Sequence, residues 1–208
     1  MSNYLFIKKE VNCKKSLNMD AKKLSHLSIE EYVALEKEAE IKYEYHDGTV
    51  YAMAGGTIEH GLICGNIFGE IRANLRTKKS NCRPINSEVK LHIQSINRFL
   101  YPDAMVICGD IEKSEDEINA VTNPILIVEV LSKTSASYDR GDKFYFYRQI
   151  KSLQEYILIE QDKAQIEIYK RESDLWKITR ISGLESKLYL TALDISIDIE
   201  EIYRDVKF

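Results

Sequence analysis

Two periodicities of apolar residues divide the chain into predicted helices and strands. Ser28-Ile29-Glu30-Glu31 has the capping-box pattern, and the apolar residues that follow recur at helical spacing, which predicts a helix over about 29–40. A second helical period predicts a helix over about 57–76, and shorter ones predict helical segments over about 137–149 and 199–204. Strands are expected in the remaining intervals.

Alternation of apolar and polar residues predicts these strands. An Asp47-Gly48 turn between Tyr43-Glu44-Tyr45 and Val50-Tyr51-Ala52-Met53 is typical of a β-hairpin. The apolar run over 124–131 is typical of a strand buried on both faces. Further strands are expected over 89–93, 99–107, 156–160, 166–170 and 176–181. Together the elements predict an α/β or α+β single domain with a mixed central sheet flanked by helices and an added β-hairpin.

Composition adds two expectations, one about the N-terminal segment and one about the location of the protein. Residues 1–24 are polar and lysine-rich, so we expect a flexible N-terminal arm before a domain over 25–208. The apolar stretches are shorter than the roughly 18 residues of a membrane span, and the N-terminus has no small-residue cleavage site. We therefore expect a cytoplasmic protein with no membrane partner.

Cysteine spacing and charge exclude further classes. Four widely spaced cysteines without a CxxC pair predict reduced thiols rather than a disulfide framework or a zinc ribbon, namely Cys13, Cys64, Cys82 and Cys108. The formal net charge of -4 lacks the basic excess typical of a nucleic-acid-binding protein. A local basic strip on an acidic protein would still permit such binding.

Two carboxylates lie where strands are predicted. Glu129 interrupts the apolar run, and an ionised group buried there needs a partner, although it could instead mark a strand end in solvent. Asp103 follows Tyr101-Pro102, and a proline within a strand pattern either distorts the strand and redirects the next side chain or marks an ordinary turn. Two carboxylates on adjacent strands would suit Mg²⁺, which prefers oxygen ligands.

The helix predicted after the Glu129 strand adds a cation. Lys143 and Tyr147 are four residues apart and share one helical face, with Arg140 one turn before. Lys143 could offset charge on a phosphate under attack or orient the attacking water. A solvated helix lysine is the alternative.

These residues resemble a known family. Tyr101-Pro102-Asp103, Val128-Glu129-Val130-Leu131-Ser132, the run from Tyr138 to Phe144 and Ser152-Leu153-Gln154-Glu155-Tyr156 are similar to the Uma-type putative restriction endonuclease family, a branch of the PD-(D/E)xK nuclease superfamily. The resemblance extends from about Ser28 to Tyr203 in family order. It implies a restriction-endonuclease-like fold and a metal-dependent nuclease.

The resemblance also implies roles for individual residues. Asp103 and Glu129 match the two metal ligands, which makes Mg²⁺ or Mn²⁺ the expected cofactor. Leu131 stands where the general motif has lysine, and Lys143 on the following helix matches the position to which this branch has moved it. The catalytic set is therefore Asp103, Glu129 and Lys143, and the candidate accessory residues are Glu59, His60, Glu44, Glu88 and Tyr147.

The function implied is hydrolysis of DNA phosphodiester bonds. Lys133, Arg140 and Arg148 are the expected DNA contacts, and a homodimer would place two sites for cutting both strands. The missing motif lysine and the acidic pI favour an alternative, a catalytically inactive nuclease-like fold that binds nucleic acid or protein. A small-molecule enzyme lacks a phosphate loop or nucleophile motif in its support.

Overall fold

Two six-stranded sheets and a small hairpin form the domain. The computed structural model of the chain describes residues 23–117 and 119–208. Its helices are α1 (Ile29–Glu38), α2 (Ile58–Thr77), α3 (Ala136–Tyr138), α4 (Phe144–Tyr147) and α5 (Ile199–Ile202), with a 3₁₀ turn at Gln94–Ile96 and a π-helical turn at Asp139–Lys143. Because α3, the π-helical turn and α4 are consecutive, they form one helical segment over 136–147.

The strands follow the chain in this order: β1 (Lys23–Ser25), β2 (Tyr43–His46), β3 (Thr49–Ala52), β4 (Cys82–Asn86), β5 (Lys90–Ile93), β6 (Arg98–Leu100), β7 (Ala104–Cys108), β8 (Ala120–Val121), β9 (Leu126–Leu131), β10 (Glu155–Glu160), β11 (Gln165–Glu172), β12 (Leu175–Ser182), β13 (Lys187–Leu190) and β14 (Ile195–Asp198).

The central sheet has the order β12-β11-β10-β9-β7-β4. β9 and β10 are parallel, and the helical segment 136–147 lies in the connection between them, while the other pairs are antiparallel. The mixed central sheet predicted from the sequence is thus confirmed. β9 is buried along its whole length, as its apolar run predicts.

Helices and the second sheet cover the two faces of the central sheet. The buried face of α2 packs with Val128 of β9 and with residues of α5. On the other side, Ile127 packs with Tyr147 of α4 and with Leu91 of β5. Alternate residues of β9 therefore belong to different cores, as strand geometry requires.

The second sheet has the order β1-β3-β2-β6-β5-β8. Its β2–β3 hairpin is the one predicted, and Asp47 and Gly48 both have positive φ, which the tight turn requires. Helix α1 begins with the predicted capping box, in which Ser28 and Glu31 each accept a hydrogen bond from the other's backbone N–H. Tyr32 of α1 packs fully buried against Tyr45 and Phe99 of this sheet.

Several sequence predictions are corrected. The single strand expected over 99–107 is split between β6 and β7, which belong to different sheets, because the chain leaves one sheet for the other at Tyr101-Pro102-Asp103. The strands β1, β4, β8, β13 and β14 have no counterpart in the sequence predictions. β13 and β14 are only four residues long, although buried and exposed residues alternate in both. Most of the predicted arm, residues 1–22, lies outside the described residues, and its last residues belong to β1, which pairs with β3.

The expectation of reduced cysteines is wrong for one pair. Cys82 and Cys108 are opposite each other in the β4–β7 ladder and form a disulfide, whereas Cys64 is free. Their separation of 26 residues gave no sign of this contact, which depends on strand pairing. Among the described residues, none of the helices is long and apolar enough to cross a membrane.

The buried face of α2 should carry much of the stability of the domain. Ile67 is fully buried, so Ile67→Ala is expected to lower the free energy of unfolding by about 2–5 kcal/mol, measured by urea denaturation. Ile58 on the same helix is 78% exposed, and Ile58→Ala is the matched control, with an expected loss below about 0.5 kcal/mol. Equal losses from both variants would contradict the packing of α2 on the central sheet.

Candidate active site

Asp103 lies where the chain enters the central sheet. The β7–β9 ladder runs only as far as Ala104, opposite Val128, and the Asp103 carboxylate then accepts a hydrogen bond from the backbone N–H of Val130 at 2.7 Å. Pro102, directly before it, has no N–H to continue a ladder. The interruption thereby turns the Asp103 side chain to the neighbouring strand, next to Glu129.

Glu129 is held by two donors from the helical segment 136–147. The Lys143 amine donates to Oε1 of Glu129 at 2.9 Å, and the Tyr147 hydroxyl donates to the same oxygen at 2.6 Å. Lys143 and Tyr147 share a helical face, as their spacing predicts. The carboxylate is therefore fixed through one oxygen, and Oε2 takes no part in these two hydrogen bonds.

Lys143 is surrounded by acids. Besides Glu129, its amine lies 3.5 Å from Asp139 Oδ1 and 3.7 Å from Glu44 Oε1. We call Glu44, Glu129, Asp139, Lys143 and Tyr147 the acid–lysine cluster. All five side chains are buried, and three carboxyl groups share one cation. Burial of excess negative charge is costly, so the cluster favours an additional cation or proton.

The pKa shifts in the cluster agree with this charge balance. Burial raises the pKa of Glu129 to about 8, and the charges of Asp103 and Asp139 add to the rise, although Lys143 opposes it. Burial disfavours the charged form of Lys143, but the surrounding acids outweigh this effect and raise its pKa well above the usual value. Burial also opposes ionisation of Glu44, but Lys143 and His46 lower its pKa. Lys143 is therefore charged, and Glu129 is the group that most needs another cation.

The oxygen ligands present fit a hard divalent ion such as Mg²⁺. Asp103 and Glu129 each have one oxygen outside the hydrogen bonds described above, and Mg²⁺ binds through one or two carboxylates with several waters. Glu44 Oε1 is buried and accepts no hydrogen bond. Asp103 and Glu129 are therefore the carboxylates that could hold the ion, whereas Glu44 Oε1 lies 3.7 Å from the Lys143 amine.

Helix α2 brings a histidine and a cysteine to the same place. His60 Nε2 lies 3.3 Å from Asp103 Oδ2, and His60 Nδ1 lies 3.5 Å from Cys64 Sγ. The hydrogen bond with Asp103 raises the pKa of His60, although burial opposes the rise. Burial raises the pKa of the Cys64 thiol, and the charges of Asp103 and Glu129 add to this effect.

A family model matches most of the chain, including every residue of the site. The family model Uma2, described as a putative restriction endonuclease, matches residues 29–200. This chain belongs to the Uma2 family. The match spans every element of the site, from Glu44 to Tyr147.

Two similar proteins come from Synechocystis sp., the uncharacterized proteins slr1290 and sll1609. The first is 31% identical over 191 residues, covering 88% of this chain and 94% of its own length. The second is 32% identical over 170 residues, covering 81% of this chain and 95% of its own length. The similarity therefore extends over nearly the whole length of both relatives.

A solved structure shares the fold. The crystal structure of a putative nuclease belonging to DUF820 from Anabaena variabilis superposes with a TM-score of 0.67 at 15% identity, covering 85% of this chain and 97% of that one. This similarity confirms the α+β fold predicted from the sequence. The Uma2 chain thus has the fold of a protein described as a putative nuclease.

Aromatic residues line the cluster on the side of the second sheet. The Tyr138 hydroxyl lies 3.4 Å from Nε2 of His46, whose other neighbours include Glu44 at 3.5 Å. The Arg98 guanidinium lies over the Phe146 ring at 3.9 Å. This rim of His46, Arg98, Tyr138 and Phe146 connects the Uma2 site to the outer surface of the helical segment.

The structure places other predicted residues elsewhere. Glu88 is exposed and pairs with Lys42 at 2.7 Å, away from the acid–lysine cluster. Glu59 lies half-buried in the first turn of α2, where the neighbouring His60 is the residue that pairs with Asp103. Of the accessory candidates, the site therefore brings together Glu44, His60 and Tyr147.

The three predicted DNA-contacting cations differ in environment. Arg140 pairs with Glu160 at 2.6 Å and with Glu167 at 3.3 Å, so its charge is already compensated. Asp139, four residues before Lys143, lies beside the Lys143 amine instead. Lys133, in the turn after β9, and Arg148, at the end of α4, are exposed.

The sequence interpretation missed two side chains that lie at the site. Asp139 is four residues before Lys143 and Cys64 is four residues after His60, so helical spacing offered a sign in both cases. The cysteine spacing predicts only a reduced thiol for Cys64. The sequence alone does not show that α2 and the helical segment 136–147 both contact the end of β9. Without that knowledge, neither pair can be assigned to the site.

The hydrogen bond from Tyr147 to Glu129 should be measurable by removing a single oxygen. Tyr147 is fully buried, so Tyr147→Phe is expected to lower the free energy of unfolding by about 1–3 kcal/mol in urea denaturation, because the carboxylate loses a donor. Tyr145→Phe is the matched control, since that ring is 53% exposed, and its expected effect is below about 0.5 kcal/mol. A Tyr147→Phe protein as stable as the control would contradict this role.

Proposed function

We propose that this Uma2 protein is a divalent-metal-dependent DNA endonuclease that hydrolyses phosphodiester bonds. The observation that carries the proposal lies at an interruption between two strands of the central sheet. There the Asp103 carboxylate accepts the N–H of Val130, the residue after Glu129, and the Lys143 amine donates to Glu129. The family description and the fold of the Anabaena protein support the same reaction class. Roles for individual residues are proposed from their positions.

Asp103 and Glu129 would hold Mg²⁺ or Mn²⁺. A bound ion of this kind supplies positive charge to a phosphate oxygen and lowers the pKa of a coordinated water. The Val130 N–H and the Lys143 and Tyr147 donors keep the two carboxylates in place before any substrate arrives. Such preorganisation avoids rearrangement during the reaction.

Lys143 would provide the fixed positive charge of the site. Its amine is buried and remains protonated because the surrounding acids raise its pKa. As charge accumulates on the phosphorus oxygens when water attacks, this ammonium would offset part of it. Lys143 also positions Glu129, so its replacement would affect both the carboxylate and the charge.

DNA would approach from the exposed ends of β9 and the helical segment 136–147. Lys133 and Arg148 are exposed cations that flank this segment, and contacts between such cations and DNA phosphates do not depend on the base sequence. Arg140 is excluded from this role in the proposal because it is paired with Glu160 and Glu167. A cation bound by the acids would reduce the repulsion between the acidic protein and DNA.

The proposal is tested by cleavage of duplex, nicked and branched DNA with Mg²⁺ and with Mn²⁺. Asp103→Asn and Glu129→Gln keep the side-chain shapes and remove one charge each, so each is expected to lower the cleavage rate at least about tenfold. The matched controls are Asp174→Asn and Glu172→Gln, two exposed acids at the β11–β12 turn, which should cut like the wild type.

Folding is checked by circular dichroism for every variant. If the folded wild-type protein leaves all three substrates intact with both metals, the nuclease function is wrong and a nuclease-like binding module takes its place. If the wild type cuts but the two site variants cut equally well, the assignment of Asp103 and Glu129 is wrong.

A further inference from the structure

Three different ligand types meet at the amino-terminal end of α2. One ligand atom each of His60, Cys64 and Asp103 lies within 4.8 Å of the others, and the closest polar contact is the 3.3 Å between His60 Nε2 and Asp103 Oδ2. Two of the three come from one helical face and the third from the interruption before β7. The arrangement is therefore fixed by the fold rather than by a mobile loop.

The chemistry of this set differs from that of a magnesium site. Mg²⁺ prefers oxygen ligands, whereas imidazole nitrogen and thiolate sulfur select zinc-class transition ions. In tetrahedral zinc centres the metal–ligand bonds are about 2.0–2.3 Å, which places ligand atoms roughly 3.5 Å apart. In the structure, Nε2 of His60 faces Asp103 and Nδ1 faces Cys64. Binding of one ion through a single nitrogen therefore requires the imidazole to rotate and the three ligand atoms, now within 4.8 Å of one another, to move closer together.

The surroundings also suit a cation. The side chains of His60 and Asp103 are 21% and 17% exposed, so an ion can reach them while most of the site is shielded from water. Cys64 is the free thiol among the described cysteines, and the carboxylate of Glu129 is near enough to influence it electrostatically. Three protein ligands with one open position is the ligand count of many zinc centres.

We propose that His60, Cys64 and Asp103 bind a zinc-class divalent ion through one nitrogen, one sulfur and one oxygen. On binding, the Cys64 S–H proton passes to solvent and the sulfur forms a bond to the metal, with no change of oxidation state. Since Asp103 is also a proposed magnesium ligand, this inference deepens the proposed function: the same centre would accept a thiophilic ion at His60 and Cys64.

Cobalt(II) is the probe for this site, because it replaces zinc and a thiolate ligand gives it a near-ultraviolet charge-transfer band. Full-length protein, stripped of metal and with its Cys82–Cys108 disulfide intact, is titrated with Co²⁺ alone. One ion per chain is expected, with a charge-transfer band that Zn²⁺ then abolishes. Cys64→Ser should remove the band, and His60→Gln should weaken Co²⁺ binding at least about tenfold.

A matched control separates Cys64 from the other thiols. A variant with Cys13, Cys82 and Cys108 all replaced by serine keeps Cys64 and should keep the band. If this variant loses the band, or Cys64→Ser retains it, the sulfur ligand is another cysteine and the inference is overturned. A folded wild-type protein without a thiolate band overturns it as well.

Glu129→Gln distinguishes this inference from the nuclease proposal. It leaves all three ligands intact, so the Co²⁺ band should persist while DNA cleavage with Mg²⁺ falls. A thiolate band in a wild-type protein that cuts no DNA would support the metal site and contradict the nuclease function. Cleavage with Mg²⁺ without any thiolate band would contradict the metal site alone.

Discussion

The burial of a carboxyl group in the middle of the central sheet is the constraint on which the site depends. Glu129 lies in a strand that is otherwise apolar, and a charged group there is tolerated only with partners. Lys143 and Tyr147 provide them from one helical face, so the helical segment must dock over β9 in one orientation. The same contacts that satisfy Glu129 thus fix the geometry of the site.

The interruption at Tyr101-Pro102-Asp103 solves a second problem. The chain leaves one sheet after β6 and enters the other at β7. Because the β7–β9 ladder ends at Ala104 and Val128, the backbone N–H of Val130 has no partner in this ladder. The Asp103 carboxylate accepts the Val130 N–H instead. A side chain that completes a ladder in this way is rigid, and its second oxygen remains for a ligand.

The sequence predicted those features whose causes are local. The capping box at Ser28, the Asp47-Gly48 turn and the apolar run of β9 each depend on a few adjacent residues, and each matches the structure. Helical spacing likewise placed Lys143 and Tyr147 on one face. Contacts between distant segments are harder to predict. The Cys82–Cys108 disulfide depends on the pairing of β4 with β7, and the sequence of neither strand indicates that pairing.

Some residues of the site can be recognised from the sequence around them, and others only from contacts between distant segments. Glu129 was recognisable because a lone acid in an apolar strand violates burial preferences, whereas Asp139 and Cys64 resemble any acid or thiol on a helix. Arg140, a predicted DNA contact, pairs with Glu160 and Glu167, whereas Asp139, four residues before Lys143, lies beside the Lys143 amine. Tertiary context therefore decides which of several charged residues becomes functional.

Part of the acidic excess of the protein is concentrated in the buried carboxyl groups around Lys143. Three carboxyl groups surround the single positive charge of Lys143, and the pKa of Glu129 is raised to about 8. When all three are ionised, the site carries an excess of buried negative charge. Either a proton on Glu129 or a bound divalent ion would offset this charge. Binding such an ion would stabilise the fold and prepare the site for an anionic substrate together, since both effects come from the same buried acids.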